Sequence, residues 1–477
     1  MIELSQNISD YILKIFDNDF LEKYKGFVYG DYLPSIRISL LNDVEAIKTG
    51  LSNYGIKLDP VKEIPNAYRV LEGSEKIGKT LEYTLGKYYI QSLSSMIPPL
   101  ILKPNSDDRV LDLCSAPGSK LTQLAEIMEN KGTLYSNEIS VDRIKSLIYN
   151  IEKMSFTNVG VLNFKGEILG KLYHEYFDKI LVDAPCSGLG IVQKKGEVSN
   201  WWNEKQAEKL SDIQFRLLLS AIKMLKVGGE IVYSTCTMTV EENEFVVDRI
   251  LNKYPVEIVD IELPVKSVEG FTKIDDRILD KSLAKARRIL PWDINSEGFF
   301  VVKLRKTGET ERLERMEVKD RSLQLISSKS NAIKKNLQSL ADYYGTDVSL
   351  FDKYNYLFKG MGNDIFFVNA EWEADNANEF TRVGTKFGNV NKENEIQLHT
   401  LAVQILGGSF TKNVVELTSL SDLQTYMSGG TIKRDFGIAG PRIIKYGSFF
   451  LGSASVSKDG LKSQFPRALR THEIIYS

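Results

Sequence analysis

The sequence predicts an α/β protein built around a parallel β-sheet, with a small α+β domain before the sheet and a further α+β region after it. The main observation is a repeated alternation of strands and helices from residue 109 to about residue 306. Its strands are short apolar runs, typical of parallel strands covered by helices on both faces. Moreover, polar and thiol groups directly follow two of these runs, and open α/β sheets carry their sites at the carboxyl ends of strands.

The N-terminal part predicts a small α+β domain over residues 1–84. Amphipathic helical patterns cover residues 11–24 and 43–54, and an alternating strand pattern covers residues 35–39. Residues 85–96 combine aromatic and hydroxyl side chains and precede Pro98 and Pro99. We interpret them as a connector that lies on the next domain and is closed by the double proline.

Residues 85–307 are predicted to form the main domain. Its strands are expected over residues 110–114, 133–138, 159–162, 179–183, 230–235 and 299–306, and its helices over 121–129, 141–153, 204–225 and 240–252. Residues 308–321 are strongly charged without apolar periodicity and predict a linker. The last region, residues 322–477, has an early helical part and then short strand-like runs, at residues 365–368, 442–445 and 448–451.

Composition limits the classes of protein that fit. With 477 residues and 43% hydrophobic content, the chain can bury a large core. Its three cysteines and three histidines (His174, His399, His472) form no CxxC and no cluster, which argues against a disulfide scaffold and against a metal site. A secretory signal and a membrane-spanning run are both missing, so we expect a cytoplasmic protein without a membrane partner.

Charge is distributed unevenly along the chain. The net charge is only -2, but residues 432–472 hold eight Lys or Arg against two Asp. An excess of six positive charges predicts a basic surface that binds nucleic acid without reading its sequence, although each single cation is consistent with a merely solvated face.

The first chemical motif is DLCSAPGSK, at residues 112–120. A strand runs into a turn of small residues and then a helix, so free backbone N–H groups face the loop. The turn by itself fits a nucleotide-type ligand and a plain tight turn about equally. Glu138 favours the ligand, because an acid about twenty residues after such a turn accepts hydrogen bonds from ribose hydroxyls. The alternative role for Glu138 is a charge near a helix N-terminus.

The second motif is a pair of thiols. Cys186 follows a strand in DAPCSGLG and Cys236 ends the next in YSTC, so both should lie at the carboxyl ends of adjacent strands. Thr239 and Glu242 have the spacing of a capping box, which predicts a helix N-terminus that favours a thiolate at Cys236. One isolated thiol at a strand end is usually a small buried hydrophobe, whereas two beside Asp183 indicate chemistry. We assign Cys114 a packing role.

These motifs resemble the RsmB/NOP/Sun family of RNA cytosine-5 methyltransferases. The likeness covers residues 35–306 and rests on DLCSAPGSK, Asn137–Glu138 with Arg143, DAPCSGLG, and YSTCT followed by EENE. It implies a class I, Rossmann-like sheet that binds S-adenosylmethionine. The tail KSQFPRALR is similar to the PUA-like RNA-binding end of the RsmF branch, and the overall length also fits that branch.

The resemblance implies roles for individual residues. Cys236 would add to C6 of cytosine, Cys186 would remove the C5 proton or release the product, Asp183 would hold the N3/N4 edge of the base, and Lys120 would orient the cofactor or the target nucleotide. The residues implied to bind the cofactor are Cys114, Ser115, Ala116, Pro117, Gly118, Ser119, Lys120, Glu138, Arg143 and Asp183. We also expect Lys194–Lys195 and Trp201–Trp202 either to grip RNA or, for the tryptophans, to pack in the core.

Two positions depart from the family. Lys165 stands where an acid is usual, and Trp292 where histidine is usual. The prediction is a monomeric methyltransferase for small-subunit ribosomal RNA. The alternatives are a transfer RNA enzyme, a DNA-type enzyme that uses Cys186 as nucleophile, and a binding or assembly factor with weakened catalysis, which Lys165 alone supports.

Overall fold

The computed structural model describes residues 3–318, 323–359, 363–471 and 473–475. Residues 319–321 of the predicted linker and His472 lie outside these ranges. Within them, no helix is long and apolar enough to cross a membrane.

The N-terminal part is a four-stranded antiparallel sheet with helices around it. The sheet order is β2-β3-β1-β4. The elements are α1 (Gln6–Ile15), α2 (Asn18–Tyr29), β1 (Ser35–Ile38), α3 (Val44–Asn53), β2 (Lys57–Pro60), β3 (Ala67–Glu72), α4 (Leu81–Thr84) and β4 (Tyr88–Ile90). The single helix predicted at residues 11–24 is wrong. Asp17 interrupts it, because its side chain accepts a hydrogen bond from the Phe20 N–H and thereby caps a second helix.

Arg37 joins this sheet to the next domain through a buried ion pair. Its guanidinium lies 3.0 Å from Glu126 and donates to Thr122 at 3.1 Å, and both charged side chains are nearly inaccessible. We expect Arg37→Met to lower the free energy of unfolding by about 3–5 kcal/mol, because Glu126 would keep a buried charge without its partner. Urea unfolding followed by circular dichroism measures this loss.

Lys57→Met provides the control for Arg37→Met in the same sheet. Lys57 pairs with Glu72, but both side chains are about two-thirds exposed. Its loss should therefore stay within about 1 kcal/mol. Equal losses for the two variants would contradict the assignment of a buried, structural ion pair to Arg37.

The main domain is organised by five parallel strands in the order β9-β8-β5-β6-β7. Its elements are α5 (Leu93–Leu102), β5 (Arg109–Asp112), α6 (Ser119–Ile127), β6 (Thr133–Asn137), α7 (Val141–Lys153), β7 (Val159–Leu162), β8 (Phe177–Asp183), α8 (Val198–Trp201), α9 (Glu204–Met224), β9 (Leu225–Thr235), α10 (Glu244–Leu251), β10 (Val256–Val259), β11 (Val268–Glu269), β12 (Lys273–Ile274), β13 (Arg277–Ile278), β14 (Arg287–Ile289), α11 (Pro291–Ile294) and β15 (Phe299–Lys306). Strand β15 pairs antiparallel with β9.

Apolar cores cover both faces of this sheet, as predicted for parallel strands. One core contains side chains of α9 and α10, and the other contains side chains of α6 and α7. The chain runs from β5 outward to β6 and β7, then returns to the other side of β5 for β8 and β9. The crevice between β5 and β8 is therefore the switch point at which such sheets bind ligands.

The double proline does not close a connector. Pro98 and Pro99 lie inside α5, a largely buried helix. The predicted capping box at Thr239 is also wrong, since α10 begins only at Glu244 and Asn243 precedes it. Glu242 instead forms hydrogen bonds with the loop after β8.

The C-terminal region forms two further five-stranded sheets, β16-β17-β18-β20-β21 and β22-β24-β25-β26-β23. The elements are β16 (Leu325–Ser327), α12 (Lys334–Tyr344), β17 (Tyr354–Lys359), β18 (Asp364–Asn369), β19 (Phe380–Val383), β20 (Thr385–Val390), β21 (Ile396–Leu398), α13 (Thr400–Leu406), β22 (Val414–Leu417), α14 (Leu420–Met427), β23 (Thr431–Ile432), β24 (Gly440–Tyr446), β25 (Phe449–Ser457) and β26 (Gly460–Ser463).

Strand β19 belongs to neither of these sheets. It pairs antiparallel with β7 and so completes the edge of the main sheet. Trp372 and Phe380 are buried in the main domain's core beside Tyr135. The sequence pattern did not predict this strand.

Candidate active site

Asp183 and Lys120 form an ion pair at the crevice between β5 and β8. Asp183 ends β8, and its Oδ2 atom lies 2.7 Å from Lys120 Nζ in the first turn of α6. Ser234 on the neighbouring strand donates to Asp183 Oδ1 at 2.9 Å. Burial alone would lower the pKa of Lys120, but the charge and hydrogen bond of Asp183 outweigh it and hold the pKa above its usual value. The pair therefore presents a fixed carboxylate that is 28% exposed.

The two predicted thiols meet next to this pair. Cys186 Sγ lies 3.1 Å from Cys236 Sγ, and both cysteines are free. The hydrogen bond to Cys236 and then burial raise the pKa of the Cys186 thiol well above its usual value. The adjacency of the two thiols agrees with the prediction from strand order.

Backbone contacts hold the Cys236 loop in place. The Gly190 N–H donates to the Cys236 carbonyl at 3.0 Å, and the Gly298 N–H donates to the Gly190 carbonyl at 2.9 Å. A Cβ atom at position 190 would lie 2.1 Å from the Gly298 carbonyl oxygen, so only glycine fits there. The glycine of DAPCSGLG thus permits the close approach of three loops.

Glu242 connects the loops that carry the two cysteines, and sequence reasoning missed this role. Its fully buried carboxylate accepts hydrogen bonds from the Ser187 N–H at 2.8 Å and from Thr239 Oγ1 at 2.8 Å. Gln214 donates to it as well, at 2.8 Å. Burial raises the pKa of Glu242, while these hydrogen bonds act in the opposite direction. Glu242 lies in EENE, a segment that carried the family resemblance, so that likeness was the available signal.

The turn after β5 and the acid after β6 also lie together. Arg143 pairs with Glu138 at 3.2 Å and donates to the Ala116 carbonyl. The Ser140 N–H donates to Glu138 at 2.9 Å. Asn137 donates to the Leu113 carbonyl at 3.1 Å, which ties the end of β6 to the turn. The Glu138 carboxylate is thus held beside the turn from two sides.

A cavity of about 600 Å³ connects the turn, Glu138 and the two thiols. Of the predicted site residues, those that line it are Cys114, Ala116, Glu138, Arg143, Asp183, Cys186 and Cys236. The predicted residues that do not line it are Ser115, Gly118, Ser119 and Lys120, and Pro117 lines a different surface depression. Burial raises the pKa of Cys114 well above its usual value, which agrees with a packing role.

The chain is similar in sequence to known methyltransferases over most of its length. A family model described as "16S rRNA methyltransferase RsmB/F" matches residues 99–305. "Ribosomal RNA small subunit methyltransferase F" of Shewanella piezotolerans is 30% identical over 445 residues, which cover 91% of this chain and 90% of that protein. The chain belongs to the RsmB/F methyltransferase family.

Other relatives of this RsmB/F chain match only part of its length. The mouse "28S rRNA (cytosine-C(5))-methyltransferase" is 39% identical over 261 residues, 54% of this chain and only 33% of that protein. The "tRNA (cytosine(49)-C(5))-methyltransferase" of Pyrococcus abyssi is 35% identical over 60% of this chain and 92% of its own. A solved methyltransferase homologue from Pyrococcus horikoshii superposes with a TM-score of 0.56 at 28% identity, covering 62% of this chain and 93% of that one.

The structure shows where the two residues that differ from the family pattern, Lys165 and Trp292, are located. Lys165 is exposed, whereas Glu167, two residues later, lines the cavity. Trp292 packs edge-on against Phe20 of α2, with ring centres 4.7 Å apart, and thereby holds the N-terminal helices on the main domain. Neither residue disturbs the thiols or Asp183.

Some residues of the loop after DAPCSG are buried in the core, and others line the cavity. Trp202 is buried and donates to Ser187 at 3.1 Å, whereas Trp201 is 42% exposed and lines the cavity. Lys194 pairs with Glu297 at 3.0 Å, and Lys195 lines the cavity. Among the ranges described above, no group of three or more His, Cys, Asp or Glu could hold a metal ion.

Asp112 makes the stability of the RsmB/F chain depend on pH. Burial, and next the charge of Asp183, raise the pKa of Asp112 to about 7. Its folded-state pKa exceeds the unfolded value, so its contribution to stability is complete below pH 4 and is lost as pH rises through 7. We expect Asp112→Asn to be more stable relative to wild type at pH 8 than at pH 5, measured by thermal unfolding. Asp107→Asn, at an exposed position, should show no such difference. A pH-independent effect of Asp112→Asn would contradict this assignment.

Proposed function

We propose that the chain is an RNA (cytosine-C5)-methyltransferase that acts on small-subunit ribosomal RNA. The observation that carries this proposal is the pair of thiols 3.1 Å apart beside the Asp183–Lys120 ion pair. C5 of cytosine is a weak carbon nucleophile, and addition of a thiolate at C6 turns it into an enamine-like carbon that accepts a methyl group. Cys236 is the proposed nucleophile and Cys186 the group that acts on the C5 proton. Asp183 lies against the N3/N4 edge of the base, where it accepts a hydrogen bond from the N4 amino group and stabilises the adduct in which N3 is protonated.

S-adenosylmethionine is the proposed methyl donor, and the cavity lining fits it. Glu138 is placed to accept hydrogen bonds from two ribose hydroxyls, and the turn at Cys114 and Ala116 offers close backbone approach. Glu167 supplies the carboxylate that Lys165 does not, since it reaches the same cavity. When bound, the donor supplies an electrophilic methyl group, and the residues around it orient that group and exclude water.

The flanking regions are proposed to bind the RNA. We assign this role to the N-terminal domain, residues 1–84, and to the region after the linker at 308–321, residues 322–477, including a PUA-like part. The exposed Lys462, Arg467 and Arg470 support it, because cations on one surface raise affinity for phosphates. A monomer in the cytoplasm is the proposed state of the protein.

Two measurements test this function. The purified protein is incubated with S-adenosylmethionine and either small ribosomal subunits or total transfer RNA from cells that lack the enzyme, and 5-methylcytosine is quantified by mass spectrometry. Methylation of the ribosomal RNA alone is the expected result. Methylation of transfer RNA alone would overturn the substrate, and favour the second candidate suggested by the archaeal transfer RNA relative.

Binding of S-adenosylmethionine without RNA, by calorimetry, separates an enzyme from a binding factor. Glu167→Gln should weaken it by about tenfold, since one charged hydrogen bond is worth about 1.5–3 kcal/mol. Lys165→Ala, at the neighbouring exposed position, should leave it unchanged. If the wild-type protein neither binds the donor nor methylates either RNA, the reading as a catalytically weakened assembly factor replaces the proposal.

A further inference from the structure

A second depression lies on the outer side of the Pro117 turn, separate from the thiols. Its volume is about 550 Å³, and α7, the N-terminal domain and the C-terminal segment all contribute to its wall. Three aromatic rings and two cations dominate the lining, which contains no carboxylate within the described residues. These side chains are Tyr83, Tyr89, Tyr149, Lys145 and Lys153.

Lys153 is the unusual member of this pocket. Its side chain is only 2% exposed, and its Nζ atom lies 3.8 Å from the centre of the Tyr83 ring, 5.5 Å from that of Tyr149 and 5.6 Å from that of Tyr89. Within the described parts of the chain, its ammonium group forms neither an ion pair nor a hydrogen bond. Burial lowers the pKa of Lys153 to about 8. A buried cation that has only ring faces as partners lacks an anion.

The hydroxyl groups of the three tyrosines also lack hydrogen-bond acceptors among the described residues. None of Tyr83, Tyr89 and Tyr149 donates a hydrogen bond to another described residue through its phenol group. Burial raises the pKa of Tyr89 to about 12, so its hydroxyl stays neutral and remains a donor. Ring faces, free hydroxyl donors and a cation in one pocket match the chemistry of a single-stranded nucleotide, whose base stacks and whose phosphate accepts.

The basic C-terminal segment reaches the rim of this pocket. Ala468 is part of the lining, and the exposed Arg467 and Arg470 stand on either side of it in the sequence. Two carboxylates are paired with lysines, since Asp142 lies 2.8 Å from Lys145 and Glu473 lies 2.6 Å from Lys79. The positive charge that remains comes from Lys153 and from Arg467 and Arg470, which belong to the basic C-terminal segment.

We propose that this pocket binds a nucleotide of the substrate RNA other than the target cytosine, with its base against the tyrosine rings and its phosphate at Lys153. The proposal rests on the proposed function for the identity of the polymer. It assigns the RNA a path from the basic C-terminal segment, past α7, to the crevice that holds the thiols. Lys153 and Tyr149 contribute to affinity for RNA and take no part in the reaction itself.

The test is binding of a fluorescein-labelled, single-stranded 16-nucleotide RNA of mixed sequence, measured by anisotropy over a range of salt concentrations. Lys153→Met should raise Kd by about tenfold and reduce the salt dependence by one phosphate contact. Tyr149→Leu should raise Kd by a similar factor with an unchanged salt dependence, because stacking involves no counterion release. At saturating RNA, both variants should retain the wild-type kcat and show a raised KM.

Lys209→Met is the matched control, because it removes the same positive charge as Lys153→Met. Lys209 is exposed and lies on α9, on the opposite face of the sheet. Its Kd should change less than twofold. Unchanged Kd and salt dependence for Lys153→Met would overturn the proposal, and so would an equal loss in the control. If Lys153→Met does not fold, photo-crosslinking of wild-type protein to a 4-thiouridine-substituted 16-mer decides. Crosslinks at Tyr83, Tyr89 or Tyr149 support the pocket, and crosslinks confined to other residues overturn it.

These outcomes separate the pocket from the enzymatic function. Wild-type protein that methylates RNA while both pocket variants bind RNA normally refutes the pocket alone. Wild-type protein that binds no RNA at all refutes both.

Discussion

Cys236→Ala is expected to reduce methyl transfer by at least about 10⁴-fold, because it removes the proposed nucleophile, the sulfur atom that would activate C5 by adding to C6. Tritium transfer from labelled S-adenosylmethionine to RNA measures this loss. Calorimetric binding of the donor should stay within twofold of wild type, which shows that the fold and the cavity survive. The variant should also form no RNA complex that resists denaturing electrophoresis.

A residual rate within tenfold of wild type would contradict the role of Cys236. Adduct formation that depends on Cys186 instead would reverse the two roles and bring back the DNA-type mechanism, in which the Pro-Cys thiol is the nucleophile. Cys114→Ala is the matched control, since Cys114 lines the same cavity beside the turn. It should retain the capacity to form the RNA adduct.

Cys186→Ala is expected to trap the covalent complex between protein and RNA. Once Cys236 has bonded to C6, the neighbouring carbon C5 and its proton lie next to Cys186, because the two sulfur atoms are 3.1 Å apart. In the proposed release step, the Cys186 thiolate takes the C5 proton, the C5=C6 double bond forms, and the bond between Cys236 Sγ and C6 breaks. Without Cys186 this elimination slows, and the adduct accumulates after the methyl group has been transferred. Denaturing gels of wild type and Cys186→Ala with donor and RNA should show a retarded band only for the variant.

The double variant Cys186→Ala/Cys236→Ala distinguishes a chemical adduct from tight binding. It should show no retarded band, although it lacks Cys186 as well. A band that persists in the double variant would mean that the retained RNA is held by another residue, and the assigned pair would then be wrong.

The meeting of the thiols could be predicted because local patterns determine where each strand ends. Apolar runs bounded by turns predicted β7 at residues 159–162 and β15 at residues 299–306 with the bounds that the structure has. Parallel strands then bring the residues that follow them to one edge. This reasoning alone predicted that Asp183, Cys186 and Cys236 would lie close together.

What the sequence could not predict depends on contacts between distant segments. The spacing of Thr239 and Glu242 fits a helix cap, but Glu242 is bonded to Ser187, 55 residues earlier. Likewise, Lys153 lies in an ordinary amphipathic helix, and only the fold surrounds its ammonium with tyrosines from two other elements. Buried polar networks leave no periodicity in the sequence, so the contacts that such residues make are visible only in three dimensions.

Strand β19 affects whether the catalytic half of the chain is stable when it is separated from the C-terminal half. The family match ends at residue 305, yet the strand that covers the open edge of β7 comes 75 residues later. A protein truncated at that match would leave the backbone donors and acceptors of β7 unpaired and expose Tyr135, and unpaired edges recruit other chains. Such a fragment should aggregate even with every proposed catalytic residue present. In this chain, the catalytic half therefore depends on a strand from the C-terminal half to cover the edge of its sheet.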